Sequence, residues 1–312
     1  MPGEQVGPTG RSGNSGAPTD QALLRTVDLT HHFRLGGMFS KQVLHAVDDF
    51  NLAINEREIV ALVGESGSGK STVARLLARV YSPTRGEIFF RDRPLKSLRS
   101  RKDLLWYRGE VAMVFQDPYS AFNPVFRVSH GVIRNLVLHR PDLDRHQRTE
   151  EAERVCQSVG LSAEMLKKFP HEMSGGERQR VGFAQALAVQ PKLILADEPV
   201  SMLDVSIRAG VLNMMANLRE QEGVSILYIT HDIASARYVA DRVVVMYAGH
   251  MVEIGPTEGC RFRWRCPYAI EKCSEVTPRP EPLGSRRVAC HVALADPERV
   301  TSSARRAPVT KT

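Results

Sequence analysis

Three groups of residues in this 312-residue chain are arranged as ligand-binding or catalytic sets are. The first is Gly64-Glu-Ser-Gly-Ser-Gly-Lys-Ser-Thr72, placed after the apolar run Ile59–Val63 and before the helical stretch Val73–Val80. Gly64, Gly67 and Gly69 let the backbone turn tightly, so that successive N–H groups point inward at a phosphate. The start of the following helix adds about half a positive charge. Lys70 would reach the β- and γ-phosphates of a nucleotide, and the Ser71 hydroxyl would ligate Mg²⁺. Glu65, Ser66, Ser68 and Thr72 complete the loop. An ordinary glycine-rich turn shares this composition but not the strand and helix on its flanks.

The second group is Leu193-Ile-Leu-Ala-Asp-Glu198, an apolar strand ending in two acids. In a parallel sheet, ligands gather at the carboxyl ends of strands. Asp197 would sit beside the Mg²⁺, directly or through water. Glu198 would face the other way and polarise the attacking water, and Pro199 breaks the strand. The plainer alternative is a solvated strand end. The third group is Cys260, Cys266, Cys273 and Cys290, spaced C-x5-C-x6-C-x16-C, whereas Cys156 stands alone. In a reducing cytoplasm such clustering points to a metal or iron–sulfur site rather than disulfides. Four thiolates suit a 4Fe–4S cluster or zinc; four unligated thiols remain the alternative.

The elements that must position these groups show in the apolar pattern. Alternation begins near Ala22 and runs as strand and turn to about Asn55. Nearly continuous apolar runs follow at Ile59–Val63, Val111–Phe115, Leu193–Ala196, Ile226–Ile229 and Val243–Tyr247, separated by loops and helical stretches. Such runs suit parallel strands covered by helices on both faces. Between Gln116 and Glu172, turn residues give way to polar, helix-favouring sequence around Asp144–Val159, which reads as a helical insertion. From Gly255 on, Pro, Arg and Cys dominate.

Composition closes off other classes. The chain is 42% hydrophobic and 25% charged, ordinary values for a globular protein. No apolar stretch approaches the roughly 18 residues of a membrane span. Met1–Asp20 is rich in Gly, Ser, Pro and Thr and lacks the apolar core of a signal peptide, so a disordered leader and a cytoplasmic location are expected. The net charge of +7 would suit nucleic acid, but many arginines, such as Arg261, Arg286 and Arg305, scatter through the tail instead of forming one stripe. No nucleic-acid partner is expected.

Four further segments occur in a fixed order. Gln116 follows the run Val111–Phe115, Ser174-Gly-Gly-Glu177 precedes a helix, Ser201-Met-Leu-Asp204 follows the paired acids, and His231 follows the run Ile226–Thr230. With the P-loop and the acids, these resemble the six ordered motifs of ABC ATPases over about Ala22–Gly255. The resemblance implies a RecA-like α/β P-loop core with an antiparallel β subdomain, a helical subdomain over about 117–175, and ATP and Mg²⁺ as ligands. It also implies a sandwich dimer, in which Ser174, Gly175, Gly176 and Glu177 of one subunit, with Asp204, close over nucleotide held by the other. Gln116 would touch Mg²⁺ and pass movement to the helical subdomain, and His231 would contact the γ-phosphate. Taken singly, Gln116 reads as a loop amide and His231 as a core histidine. In relatives position 177 is usually Gln, although Glu also occurs there in working ones, and position 173 is usually Leu; this chain has Glu177 and Met173. Phe33, with Phe39 as runner-up, stands where an aromatic would stack on adenine.

The stretches Phe115–Pro124 and Glu198–Ser206 resemble the dipeptide/oligopeptide importer branch, which nickel importers share. So does the segment Gly259–Tyr268 with Cys273 and Val288–His291, the branch's C-terminal extension, in which four cysteines can hold an iron–sulfur cluster. Here the linker between Glu258 and Cys260 is shorter than in relatives. The implied function is ATP hydrolysis coupled to peptide import, with a second ATPase subunit, two membrane permease subunits and, indirectly, an extracytoplasmic solute-binding protein. The implied layout is a leader (1–21), an ATPase domain (22–255), a Cys-rich extension (256–292) and a tail (293–312), the whole lying peripherally on the cytoplasmic membrane face. The rivals are import of nickel or another solute, and a non-transport ABC ATPase. The second lacks support, because the chain has neither tandem ATPase halves nor a long coiled-coil insertion.

Overall fold

The computed structural model describes residues 22–35, 42–117, 122–256, 270–276, 281–283 and 286–288, with the single residues His291 and Ala295. The expected leader, and most of the expected extension and tail, lie outside them.

A six-stranded sheet forms the centre. Its parallel strands are Ile59–Val63 (β4), Val111–Val114 (β7), Leu193–Asp197 (β8), Ser225–Thr230 (β9) and Arg242–Tyr247 (β10). They lie in the order β10-β4-β9-β8-β7, and the antiparallel strand His250–Pro256 (β11) covers the β10 edge. The five apolar runs of the sequence are therefore the five parallel strands, with ends moved by a residue. Phe115 falls outside β7 and is 49% exposed, whereas Asp197 is the last residue of β8.

Continuous apolar runs follow from burial on both faces. Along β4, Ile59, Ala61 and Val63 join one core, and Val60 and Leu62 join the other. The strands β8 and β9 alternate in the same way. The first core is closed by helices Val128–His139 (α3), Arg145–Ser158 (α4), Gly175–Leu187 (α5) and Val205–Gln221 (α6), through Val132, Val155, Phe183 and Met215 among others. In the second core, Leu76 and Leu77 of helix Lys70–Leu77 (α1) and Tyr107 of helix Arg101–Glu110 (α2) meet an antiparallel sheet. At about 25 cal/mol per Å² of apolar surface, each such large side chain contributes roughly 1.5–3 kcal/mol when fully buried.

The antiparallel sheet joins Leu24–Leu35 (β1), Gln42–Phe50 (β2), Ala53–Ile54 (β3), Arg85–Phe90 (β5) and Arg93–Pro94 (β6) in the order β2-β1-β5-β6, with β3 on β1. Sequence pattern locates its first part, 22–55. Its second part comes from beyond α1, and only the fold returns residues 85–94 to β1. The helical stretch expected at Val73–Val80 begins earlier, at Lys70, because Gly69 supplies the left-handed turn (φ 104°) that starts the helix. The polar helix expected around Asp144–Val159 is α4, started by a capping box between Asp144 and Gln147. Farther on lie the short helix Ile233–Val239 (α7), the one-turn helix Lys272–Glu275 (α8), and the ribbon Glu281–Leu283 (β12) with Arg286–Val288 (β13).

Candidate nucleotide and water-activation site

The site gathers at the carboxyl ends of β4, β9, β8 and β7, which are neighbours in that order. From β4 the chain passes through Gly64–Ser68 into α1. A Cβ at Gly64 would overlap the Met246 carbonyl, and one at Gly69 would overlap the Ala46 carbonyl. Gly67 holds φ at 82°, and a bond from the Ser68 N–H to the Glu65 carbonyl (3.2 Å) closes the turn. Glycine is thus required at Gly64 and Gly69 by close approach, and at Gly67 and Gly69 by backbone angle. Glu65, Ser66 and Gly67 are exposed, Ser68 is buried, and Thr72 is half-buried on the first turn of α1.

Lys70 is buried, and its Nζ donates to the carbonyls of Gly64 (2.8 Å) and Glu65 (2.7 Å). Burial lowers its pKa, while the carboxylates of Glu198 and Asp197 pull the other way. Ser71 Oγ donates to Asp197 Oδ1 at 3.0 Å. Burial raises the Asp197 carboxyl, against the lowering effects of the Ser71 bond and of Arg75. A hydroxyl and a carboxylate side by side are a hard oxygen donor set of the kind that suits Mg²⁺. The glycine cradle, the ammonium and this pair fit a nucleoside triphosphate with its magnesium.

Glu198 directly follows β8, with φ at 46° and its N–H bonded to the Ile229 carbonyl (2.9 Å). A positive φ in a residue with a side chain costs of order 1–3 kcal/mol, which the surrounding structure must supply. The turn points the carboxylate at two neighbours. Gln116 Nε2, just beyond β7, donates to Oε2 at 3.2 Å. His231 Nδ1, just beyond β9, lies 3.3 Å from the same oxygen. His231 is no core histidine, since its side chain is 58% exposed while that of Glu198 is 16% exposed. The pair Ser71–Asp197 and the trio Gln116–Glu198–His231 therefore meet at consecutive residues, the last of β8 and the one after it.

Other expected site residues stand apart. Among the described residues, no hydrogen bond joins Ser174–Glu177 to the P-loop. Instead Ser174 Oγ accepts from the Glu177 N–H (3.2 Å), and Glu177 Oε2 accepts from the Ser174 N–H (2.7 Å), a capping box at the start of α5. These bonds, the Ser174 backbone one foremost, hold the Glu177 carboxyl below its usual range, with Lys168 Nζ 3.9 Å away. The spacing S-x-x-E was readable in the sequence as such a box, in which Glu177 takes the place that Gln can also fill. A Cβ at Gly176 would overlap Ile207, and one at Gly175 would touch Leu203, so both glycines seat this loop on the segment that carries Asp204. Asp204 is exposed just before α6.

Phe33 is half-buried on β1, edge-on to His31 (4.6 Å) and Tyr81 (5.5 Å). Phe39 lies outside the described residues, as do Cys260, Cys266 and Cys290. Cys273 is described and buried, in α8.

The chain resembles known proteins in sequence and in fold. The ABC transporter family profile matches residues 47–201. A probable peptide ABC transporter ATP-binding protein of Sinorhizobium fredii is 38% identical, covering 87% of this chain and 90% of that one. The oligopeptide transport ATP-binding protein OppF of Bacillus subtilis is 39% identical, covering 84% of each chain. Among solved structures, the ATP-binding cassette MJ0796, a dimer in a post-hydrolysis state with ADP and phosphate, superposes with a TM-score of 0.68 at 26% identity. That match covers 76% of this chain and all of the other. The chain belongs to the ABC transporter family and is one of its ATP-hydrolysing ATP-binding proteins.

Proposed function

We propose that this chain energises the import of di- or oligopeptides by hydrolysing ATP to ADP and phosphate at the carboxyl ends of β4, β9 and β8. The observation that carries the chemistry is the single oxygen, Glu198 Oε2, met by both Gln116 and His231 beside the Ser71–Asp197 pair. Lys70 and the backbone N–H groups of Gly64–Thr72 would bind the phosphates. Ser71, Asp197 and Gln116 would hold Mg²⁺, which when bound supplies charge neutralisation on the phosphates. Glu198 would orient and polarise the attacking water. His231 would hold the carboxylate in place and reach the γ-phosphate. Phe33 would stack on the adenine.

Peptide as the solute is supported by the names of the relatives. The resemblance of Ser174–Glu177 and Asp204 to motifs that act across a dimer supports a second ATPase subunit, as does the dimeric cassette it superposes on. Among the described residues no helix is long and apolar enough to cross a membrane. Peripheral attachment through two permease subunits is therefore the proposed arrangement. On α3, Ile133, Val137 and Leu138 line an open groove with His130 and Arg134, and Val125 and Phe126 are exposed just before it. This is an apolar surface that could serve such docking.

The four cysteines of the C-terminal extension are proposed as a metal or iron–sulfur site on their spacing alone. Iron and zinc analysis of protein purified without oxygen tests it, and a colourless, metal-free protein refutes it. For the main proposal, membrane vesicles with the partner permeases should take up labelled peptide only with hydrolysable ATP. Uptake that persists when Glu198 is replaced by Gln would refute the coupling.

A further inference from the structure

The antiparallel sheet carries a cluster of side chains that the nucleotide site does not use. His32 on β1 and His45 on β2 are directly opposed in the strand register. Opposed residues share a face, with Cβ atoms about 5 Å apart. Their rings accordingly lie 3.9 Å apart, centre to centre. Asp48 comes three positions after His45, and in a regular strand that odd spacing would put it on the other face. Here the register slips: His32 pairs with His45 but His31 pairs with Val47, leaving Ala46 as the extra residue of a bulge. The bulge returns Asp48 to the histidine face. Its Oδ1 lies 2.5 Å from His32 Nε2, and its Oδ2 lies 3.0 Å from His45 Nδ1.

We propose that His32, His45 and Asp48 form a binding site for a divalent late first-row transition ion, zinc fitting best. One ligand atom from each residue lies within 4.8 Å of the other two. Two imidazoles and one carboxylate are a donor set used by zinc, and they leave a further position for water. The site is built: Asp48 and His32 are half-buried, and His45 opens to solvent and gives the ion a way in. Partial burial alone would raise the Asp48 carboxyl. The bonds to His32 and His45 outweigh that and hold it below its usual range. The strand that carries the site also reaches the β10–β11 turn and, through its bulge, the P-loop. The Asp48 N–H donates to the Gly249 carbonyl (2.9 Å), and the Ala46 carbonyl packs against Gly69. A bound ion would pin the ribbon that carries Phe33 against the P-loop.

Cobalt(II) titration of the metal-stripped full chain, without nucleotide, tests the site. One equivalent should give the visible d–d bands of nitrogen and oxygen ligation, and zinc should abolish them. The His32→Gln/His45→Gln double variant should lose that signal. Cobalt on the C-terminal cysteines is told apart by its sulfur-to-metal charge-transfer band, which the double variant would keep. A wild-type chain with no nitrogen–oxygen signal, or a folded variant that retains it, overturns the site. Should the variant not fold, the wild type still decides. Zinc should slow diethyl pyrocarbonate modification of His32 and His45 about tenfold, as expected for ligands that must be deprotonated and engaged, while exposed His146 reacts unchanged. Equal rates with and without zinc overturn the proposal.

Discussion

Nδ1 of His231 lies 3.3 Å from Oε2 of Glu198, although 33 positions separate them in the chain and each stands just beyond a different strand. The same oxygen accepts from Gln116, so one carboxylate answers to two neighbours. Glu198→Gln should lower kcat about 10²- to 10⁴-fold, the usual contribution of a positioned acid–base group. ATP binding should persist, because the phosphate cradle is untouched. Steady-state hydrolysis with nucleotide-binding titration checks this, and a variant with wild-type kcat would remove Glu198 from the role. Because His231 acts on the same atom, adding His231→Ala to Glu198→Gln should cost less than the two single losses combined.

Lys70 sits buried with its ammonium on two loop carbonyls. Lys70→Ala removes a charge-assisted contact to phosphate, so ATP affinity should fall at least about tenfold, equivalent to about 1.4 kcal/mol. Equilibrium binding of a fluorescent ATP analogue measures the loss.

Asp197 provides a test with a sign. Its carboxyl is raised above the ordinary 3.8 by burial, so the folded state resists its ionisation. The ionised form therefore subtracts stability, increasingly as pH rises from the unfolded value through the folded one. Without nucleotide or metal, Asp197→Asn should raise Tm at pH 8 and leave it nearly unchanged at pH 3, where the acid is protonated in both states. The same substitution should abolish magnesium-dependent hydrolysis. Calorimetry at the two pH values, alongside the activity assay, checks both halves.

Ser174 and Glu177 cap α5 reciprocally. Ser174→Ala should cost about 1 kcal/mol in denaturant unfolding. Glu177→Gln should cost less, since Gln also serves in a capping box. The folded-state carboxyl of Glu177 is depressed below 4.5, so its contribution is present above that pH and lost as pH falls through the folded value. The Gln variant should lack that part of the acid dependence.

Much of this site is legible along the chain because its parts are local. A glycine loop, a strand ending in acids and an S-x-x-E box each need only a few consecutive residues, and their backbone geometry follows from residue type. The two-sided burial of the parallel strands is legible too, as unbroken apolar runs. The structure supplied what depends on pairing between distant segments. Residues 85–94 complete the antiparallel sheet only because β5 returns to β1, and nothing local marks that return.

The order of the motifs, the P-loop at Gly64–Thr72 and the acids Asp197 and Glu198 can be read along the chain without any fold. The meeting of Gln116 and His231 at one oxygen of Glu198 comes from folding, because it depends on β7, β8 and β9 being neighbours in the sheet. Folding likewise brings His32, His45 and Asp48 together. A one-residue bulge turns Asp48 onto the histidine face, and a bulge is a property of strand pairing that no spacing along the chain records.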